Sequence, residues 1–561
     1  MKTCVTCGQT FLLSDDERDF LKRMAFTFGS ITIPLPEPTR CPDCRLQRRT
    51  CHRNERFLYK AESSLSRKPM VSIYEAGALW GKDYLVYGHD EWNGDGWEAS
   101  KDNRTYDPAR SFFEQWADLH KAVPRMGLIV LANENCDFTT GTAYSKNCYL
   151  TNSSEYCEDC YYGKLLQKCR NCVDCSYIYD SERCYDCVGV YDSYGCTSLA
   201  FSKNCSDCHF STNLLGCKNC ILCSNLRQKE FHVRNKPVSK EEYQKTLLSF
   251  QNSHTAHEAL TKEWHEIERS RVHRFANIVN CEACTGDEIE NSKHCTECFD
   301  LTDSQDCLHA YVGVAIKDTQ HSSNMYMKVE LCYDILGAIE VYHGAYCLFC
   351  FYSQDLLYSE YCQHCKDCFG CVGLKHKRYC IFNKQYTKEE YEKLVPEIID
   401  AMRRRGEWGE YFPAKNAPFG YNETLANEYF PLTKEEAIAK GFLWRDLTDR
   451  MPDVAKVIPA AQLPDSITDI PDDVLNWAIR CEKTDRPFRI IKQELQFCRD
   501  MNLPLPRLHP DVRYDDRLAW RNPRKLWNRA CMKCQKGIQT SYAPDRPETV
   551  YCEECYLKEV Y

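Results

Sequence analysis

The chain has no apolar run long enough to cross a bilayer; stretches such as Leu128 to Ala132 are far too short. Met1 to Ser14 hold neither a long apolar segment nor a small-residue cleavage site. The expectation is a cytoplasmic protein with no membrane partner. No phosphate-cradling glycine loop, no His-Glu-x-x-His, no nucleophile elbow and no paired acid and base stand out, which points away from an enzyme. Positive charge is also in deficit: 72 Lys and Arg against 81 Asp and Glu leave a net charge of −9. Any contact with nucleic acid must then be local rather than a property of the whole surface.

What is abundant is cysteine, 39 in 561 residues, in a chain whose 43% apolar and 12% aromatic content suffices for several packed domains. In a reducing compartment these are metal ligands or buried thiols rather than disulfides. Their spacing is the strongest signal. Cys136, Cys148, Cys160, Cys172, Cys184, Cys196, Cys208 and Cys220 recur every 12 residues, a period belonging to neither an amphipathic helix nor an ordinary strand. A turn former precedes most of them (Asn147, Asp159, Asn171, Gly195, Asp207, Asn219), so the chain is expected to bend just ahead of each sulfur.

Two cysteine-rich arrays emerge, and they are related. Cys217, Cys220, Cys223 and Leu226 match Cys365, Cys368, Cys371 and Leu374, and the match continues into Ser239 to Tyr243 against Thr387 to Tyr391. Ser239 with Glu242 and Thr387 with Glu390 have capping-box spacing, so each array is expected to close with a helix. The period suggests a β-solenoid-like coil with stacked sulfurs inside, of 12 or 24 residues per rung. The triplet Cys169-Cys172-Cys175 and the quartet Cys362-Cys365-Cys368-Cys371 admit iron–sulfur or additional metal readings beside that of buried thiols.

The termini read differently. Cys4, Cys7, Cys41 and Cys44 form two CxxC knuckles, as do Cys531, Cys534, Cys552 and Cys555, each set suited to one structural zinc ion. The ends are also copies of each other. Cys4, Phe11, Glu17 and Phe20 match Cys481, Phe488, Glu494 and Phe497, and Arg45, Arg49, Arg53 and Arg56 match Arg513, Arg517, Arg521 and Arg524. On this alignment Thr484, His509 and Val512 replace Cys7, Cys41 and Cys44, while Ser63, Ser66 and about Gly88 and Glu91 replace the second set. Each copy has kept one metal site and lost the other. The eight shared arginines fall on one helix face in each copy. They are candidate nucleic-acid contacts, or else partners for the chain's own carboxylates.

These features divide the chain into an amino-terminal zinc module (1–62), a degenerate ribbon and connector (63–134) and the first array (135–238). A helical linker (239–279) precedes the second array (280–386), which is followed by a helical and aromatic strap (387–451), a linker (452–471) and a carboxy-terminal zinc-ribbon module (472–561). The linker helix is expected to run from Ser239 to Arg274 with His254, His257 and His265 facing solvent. The fold class is thus multi-domain and β-rich with helices, two repeat arrays flanked by duplicated zinc-ribbon or treble-clef-like modules.

Cys41-Pro-Asp-Cys44-Arg45, Arg53-Asn-Glu-Arg56, Phe419 to Thr424, Arg521-Asn-Pro-Arg524-Lys-Leu-Trp527 and Tyr551-Cys-Glu-Glu-Cys555-Tyr556 carry a resemblance over nearly the whole length. The chain resembles uncharacterised cysteine-rich zinc-ribbon proteins of candidate-phyla bacteria, and its last segment is similar to a family of zinc-ribbon domains. Such relatives commonly have a ribbon pair near the amino-terminal end too, which this chain lacks. The resemblance implies zinc and no particular activity. The leading expectation is a non-enzymatic zinc protein, a rigid scaffold whose basic ends meet RNA or a ribonucleoprotein. A protein-interaction scaffold and an iron–sulfur redox protein are the alternatives.

Overall fold

A cysteine every 12 residues requires the chain to come back to the same place every 12 residues, and it does. The computed structural model describes residues 1–75, 84–447 and 451–561; parts of the connector (76–83) and of the strap (448–450) lie outside the described residues. Parallel strands pair Thr140 with Asn152, Asn152 with Lys164, Lys164 with Ser176 and Ser176 with Val188. Eleven strands, from Val130–Leu131 to Lys236–Pro237, follow one another in chain order within one sheet. Bridges such as Glu134 to Lys146 and Asp137 to Tyr149 carry the same register between strands.

The backbone turns sharply at every third residue. Tyr144, Asn147, Leu150, Ser153 and Tyr156 all have φ between 50° and 54°. A left-handed non-glycine residue costs on the order of 1 kcal/mol. Hydrogen bonds to the preceding turn offset this: the N–H of Asn147 donates to Glu134 O, that of Asp159 to Lys146 O and that of Asn171 to Glu158 O, each at 3.0 Å. Asn and Asp tolerate this conformation best, which is why they precede so many of the cysteines.

The second array builds a sheet of 13 strands, from Ile278–Val279 to Lys384–Gln385. It holds the 12-residue register at Leu336 to Leu348, Tyr342 to Gln354 and Lys366 to Arg378. It slips by one residue at its first strand, where Ile278 pairs Ile289, and again after a bulge between Val314 and Ile316, beyond which Ser323 pairs Leu336.

Inside both arrays the cysteines are hydrogen-bond donors. Cys160, Cys172 and Cys184 donate S–H to the carbonyls of Glu158, Arg170 and Glu182 at 3.4, 3.3 and 3.5 Å. Serines do likewise: Ser181 and Ser193 donate to Tyr179 and Tyr191 carbonyls at 2.8 Å, and Ser181 Oγ accepts the N–H of Ser193. A thiol meets the same carbonyl while filling more of a narrow interior with apolar volume, hence the preference for cysteine.

Each array closes with an antiparallel hairpin and a helix. Glu230–Val233 folds onto Lys236–Pro237 before helix Lys240–Phe250, and Arg378–Ile381 onto Lys384–Gln385 before helix Lys388–Arg404. Ser239 caps the first helix, and Thr387 with Glu390 forms a full capping box on the second. The single linker helix expected from the sequence is two, because Asn252 turns left-handed (φ 64°) and Ser253 caps a new helix, His254–Ser270. His257 is half-buried against Phe210, ring centres 4.8 Å apart, and not solvent-facing. Residues 452–471 are not a simple linker either. Lys456–Pro459 pairs with Trp477–Arg480, and Ile458, Leu463, Ile467 and Ile470 pack with Cys481 and Phe488.

The terminal duplication is visible element by element. Helices Asp15–Arg23 and Pro42–Thr50 recur as Lys492–Asp500 and Pro510–Leu518. The hairpin Tyr59–Glu62/Pro69–Ser72 recurs as Trp527–Ala530/Gly537–Thr540. A further hairpin, Phe26–Phe28/Ile31–Ile33, lies in the amino-terminal copy where the alignment skips residues. The modules dock crosswise: Phe26 stacks on His343 of the second array, whereas Phe497 and Leu503 pack with Tyr161, Tyr162 and Tyr185 of the first.

Cys184 tests the interior. Cys184→Ser keeps the donor and is expected to cost about 1 kcal/mol, whereas Cys184→Leu overfills the coil and is expected to cost about 2 kcal/mol or more. Denaturant unfolding of the two variants checks this.

Candidate metal centres and the arginine stripes

The first CxxC ends a two-stranded hairpin (Lys2–Thr3 with Thr10–Phe11) and the second opens helix Pro42–Thr50, with Cys41 at its N-cap. This brings the sulfurs of Cys4, Cys7, Cys41 and Cys44 within 4.8 Å of one another. Cys531, Cys534, Cys552 and Cys555 converge in the same way, with Cys552 at the N-cap of helix Glu553–Val560. Cys7 and Cys41 sulfurs are 3.7 Å apart and Cys534 and Cys552 3.6 Å. A tetrahedron of thiolates around zinc, with Zn–S about 2.3 Å, has edges of about 3.8 Å, so both sets fit such an ion. Within each set the thiols share their protons unequally, contact with Cys41 pushing Cys44 up. Contact with Cys44 draws Cys41 down to about 5. Burial works against ionising Cys531, but the N–H groups of Cys552, Cys534 and Lys533 bring it down to about 6.

The decayed sites keep the same backbone. At all four knuckles the first residue's N–H bonds to the carbonyl five residues on: Cys4 to Gln9, Ser63 to Lys68, Cys481 to Arg486 and Cys531 to Lys536, at 2.8 to 3.0 Å. The fifth residue of each, Gly8, Arg67, Asp485 or Gln535, has φ between 57° and 72°. In the decayed amino-terminal ribbon the carboxylate of Glu91 holds the knuckle to its partner loop, accepting from Ser63 Oγ and, at 3.1 Å, from the Gly88 N–H. In the carboxy-terminal copy Cys481 is buried beside Thr484 and the His509 N–H, and Val512 joins the hydrophobic core.

The arginine stripes point inward. Arg45 and Arg49, 6% and 1% exposed, share Asp334 of the second array at 3.2 and 2.6 Å. Arg513 and Arg517, 7% and 2% exposed, share Asp174 of the first array, Arg517 at 2.8 Å. Each clamp holds a second buried carboxylate from its own module: Glu494 lies 3.0 Å from Arg513, and Glu17 beside Arg45 bonds His321 at 2.8 Å. Burial opposes ionisation of Asp334, yet Arg45 and Arg49 hold its carboxyl below the usual range. Arg521 and Arg524 share Asp300, Arg53 pairs with Glu55, and Arg56 with Asp511. Of the two readings the sequence left open for these eight arginines, these contacts are those of the second, pairing with the chain's own carboxylates. Their charge is taken up by carboxylates of the same chain, because a guanidinium buried without an anion is too costly to keep.

Sequence reasoning missed Asp174, Asp300 and Asp334. Each is a left-handed turn residue of an array (φ 52° to 56°), and nothing local separates it from the aspartates left in solvent. No protein-family model matches the chain, and no curated protein aligns with it.

Asp334→Asn leaves two buried guanidinium groups without their anion. It is expected to destabilise the docking of helix Pro42–Thr50 by about 3 kcal/mol or more, read as faster amide exchange in that helix. Thr484→Cys, His509→Cys and Val512→Cys together are expected to restore the lost site, raising bound zinc by one ion per chain in metal analysis.

Proposed function

We propose that the chain is a non-enzymatic, metal-stapled scaffold in which two zinc-braced modules clamp two short β-solenoids into one body, and that its partner is a protein. The observation that carries this reading is the pairing of all eight stripe arginines with carboxylates of the same chain. Basic charge that would serve RNA or a ribonucleoprotein is committed to architecture instead. The 12-residue register and the four turns per period support a solenoid with a 12-residue rung. Four thiolates at tetrahedral edge lengths favour zinc at each end. Among the described residues only the two terminal sets bring four cysteine sulfurs within 4.8 Å of one another, which supports plain thiols over iron–sulfur ligation within the arrays. Kinship with zinc-ribbon proteins of candidate-phyla bacteria remains part of the proposal, carried by the two tetra-cysteine sites. Among the described residues no helix is long and apolar enough to cross a membrane.

Anaerobic purification is expected to yield two zinc ions per chain and no iron, with any co-purifying protein retained after nuclease treatment. Purified protein is expected to show no RNA binding that weakens between about 50 and 200 mM salt. Iron with sulfide, or a steep salt dependence of RNA binding, contradicts the reading.

A further inference from the structure

Six of the 39 cysteines keep any appreciable exposure: Cys7, Cys44, Cys136, Cys281, Cys284 and Cys534. Cys7, Cys44 and Cys534 belong to the tetra-cysteine sites. Cys136 has no cysteine three residues to either side; Asn133 and Thr139 stand there. Cys281 and Cys284 remain, three residues apart on the first turn of the second array, where no earlier turn covers them. Both sulfurs reach carbonyls of the same two turns: Cys281 those of Val279 and Ile289 at 3.1 and 3.5 Å, Cys284 those of Glu282 and Ser292 at 3.4 and 3.5 Å.

Both thiols line a groove of about 1430 Å³ between the first array, the open end of the second and the carboxy-terminal ribbon. Every other pair of array cysteines three residues apart is buried; this one opens to solvent through a space wide enough for a small molecule. We propose that Cys281 and Cys284 are a reversible thiol–disulfide modification site, oxidised by small disulfides of the glutathione type.

The exchange is balanced by the two thiols themselves. Cys281 loses its proton and attacks one sulfur of the incoming disulfide; that S–S bond breaks and one small thiol leaves. Cys284 then loses its proton and attacks the Cys281 sulfur of the mixed disulfide, forming the Cys281–Cys284 bond and releasing the second small thiol. Two electrons and two protons pass from the protein to the reagent. Burial holds Cys284 up at about 12, which suits it to the second, intramolecular step.

The test is peptide mapping of the reduced, zinc-loaded full chain after incubation with oxidised glutathione and alkylation. The expected result is a linkage between Cys281 and Cys284, loss of two free thiols per chain, unchanged zinc content, and reversal by dithiothreitol. Cys284→Ser is expected to trap a stable glutathione adduct on Cys281. Oxidation at Cys136 or at the zinc ligands while Cys281 and Cys284 stay reduced would overturn the proposal. So would the loss of the same two thiols in the Cys281→Ser/Cys284→Ser variant.

Discussion

Everything in this molecule depends on a strand that returns to its neighbour after 12 residues. A path that short leaves room only for small or slender side chains, so the interior is written in Cys, Ser, Leu, Ile and Val. It also forces a left-handed turn at every third residue, and each turn is held by a backbone bond to the preceding one. Sulfur is used here chiefly as a compact apolar group that still satisfies a carbonyl. Oxygen from serine takes the same role at a shorter distance, 2.8 Å at Ser193 against 3.5 Å at Cys184.

The arrays meet directly where Leu165 and Tyr177 pack on Val312, and the duplicated modules add clamps at both. Each presents a helix whose arginines reach across to one aspartate at a turn of an array, and each contributes a glutamate that completes the charge. The helices cross, Pro42–Thr50 reaching the second array and Pro510–Leu518 the first, while Arg521 and Arg524 of the carboxy-terminal module also reach Asp300 of the second. Buried ion pairs of this kind add little net stability over an apolar contact, yet tolerate no missing partner. They therefore define where a module sits more than how strongly it binds.

The metal sites show how packing replaces coordination. A knuckle with cysteines needs an ion to bring its two halves together. The knuckle at Ser63 is held instead by one carboxylate, and the one at Cys481 by a hydrophobic core that Val512 has joined. The backbone of all four is unchanged. A turn with one left-handed residue and two local hydrogen bonds keeps its shape whether or not four cysteines surround it.

Local pattern was enough to announce the period, the turns ahead of Cys148, Cys160 and Cys172, the capped helices after each array, the duplication, and the eight thiols that converge at the two ends. All of these are written in neighbours along the chain. The turns at Tyr144, Leu150 and Tyr156 were invisible, because nothing in those residue types asks for a left-handed backbone; the register of adjoining strands imposes it. The break at Asn252 and the burial of Ile458, Leu463, Ile467 and Ile470 were missed for a similar reason, since their partners lie outside their own segments. Above all, the direction of the arginine stripes could be settled only in three dimensions. A helix face rich in arginine reads the same whether it meets phosphate or carboxylate, and it is the placement of Asp174, Asp300 and Asp334 on distant turns that decides which.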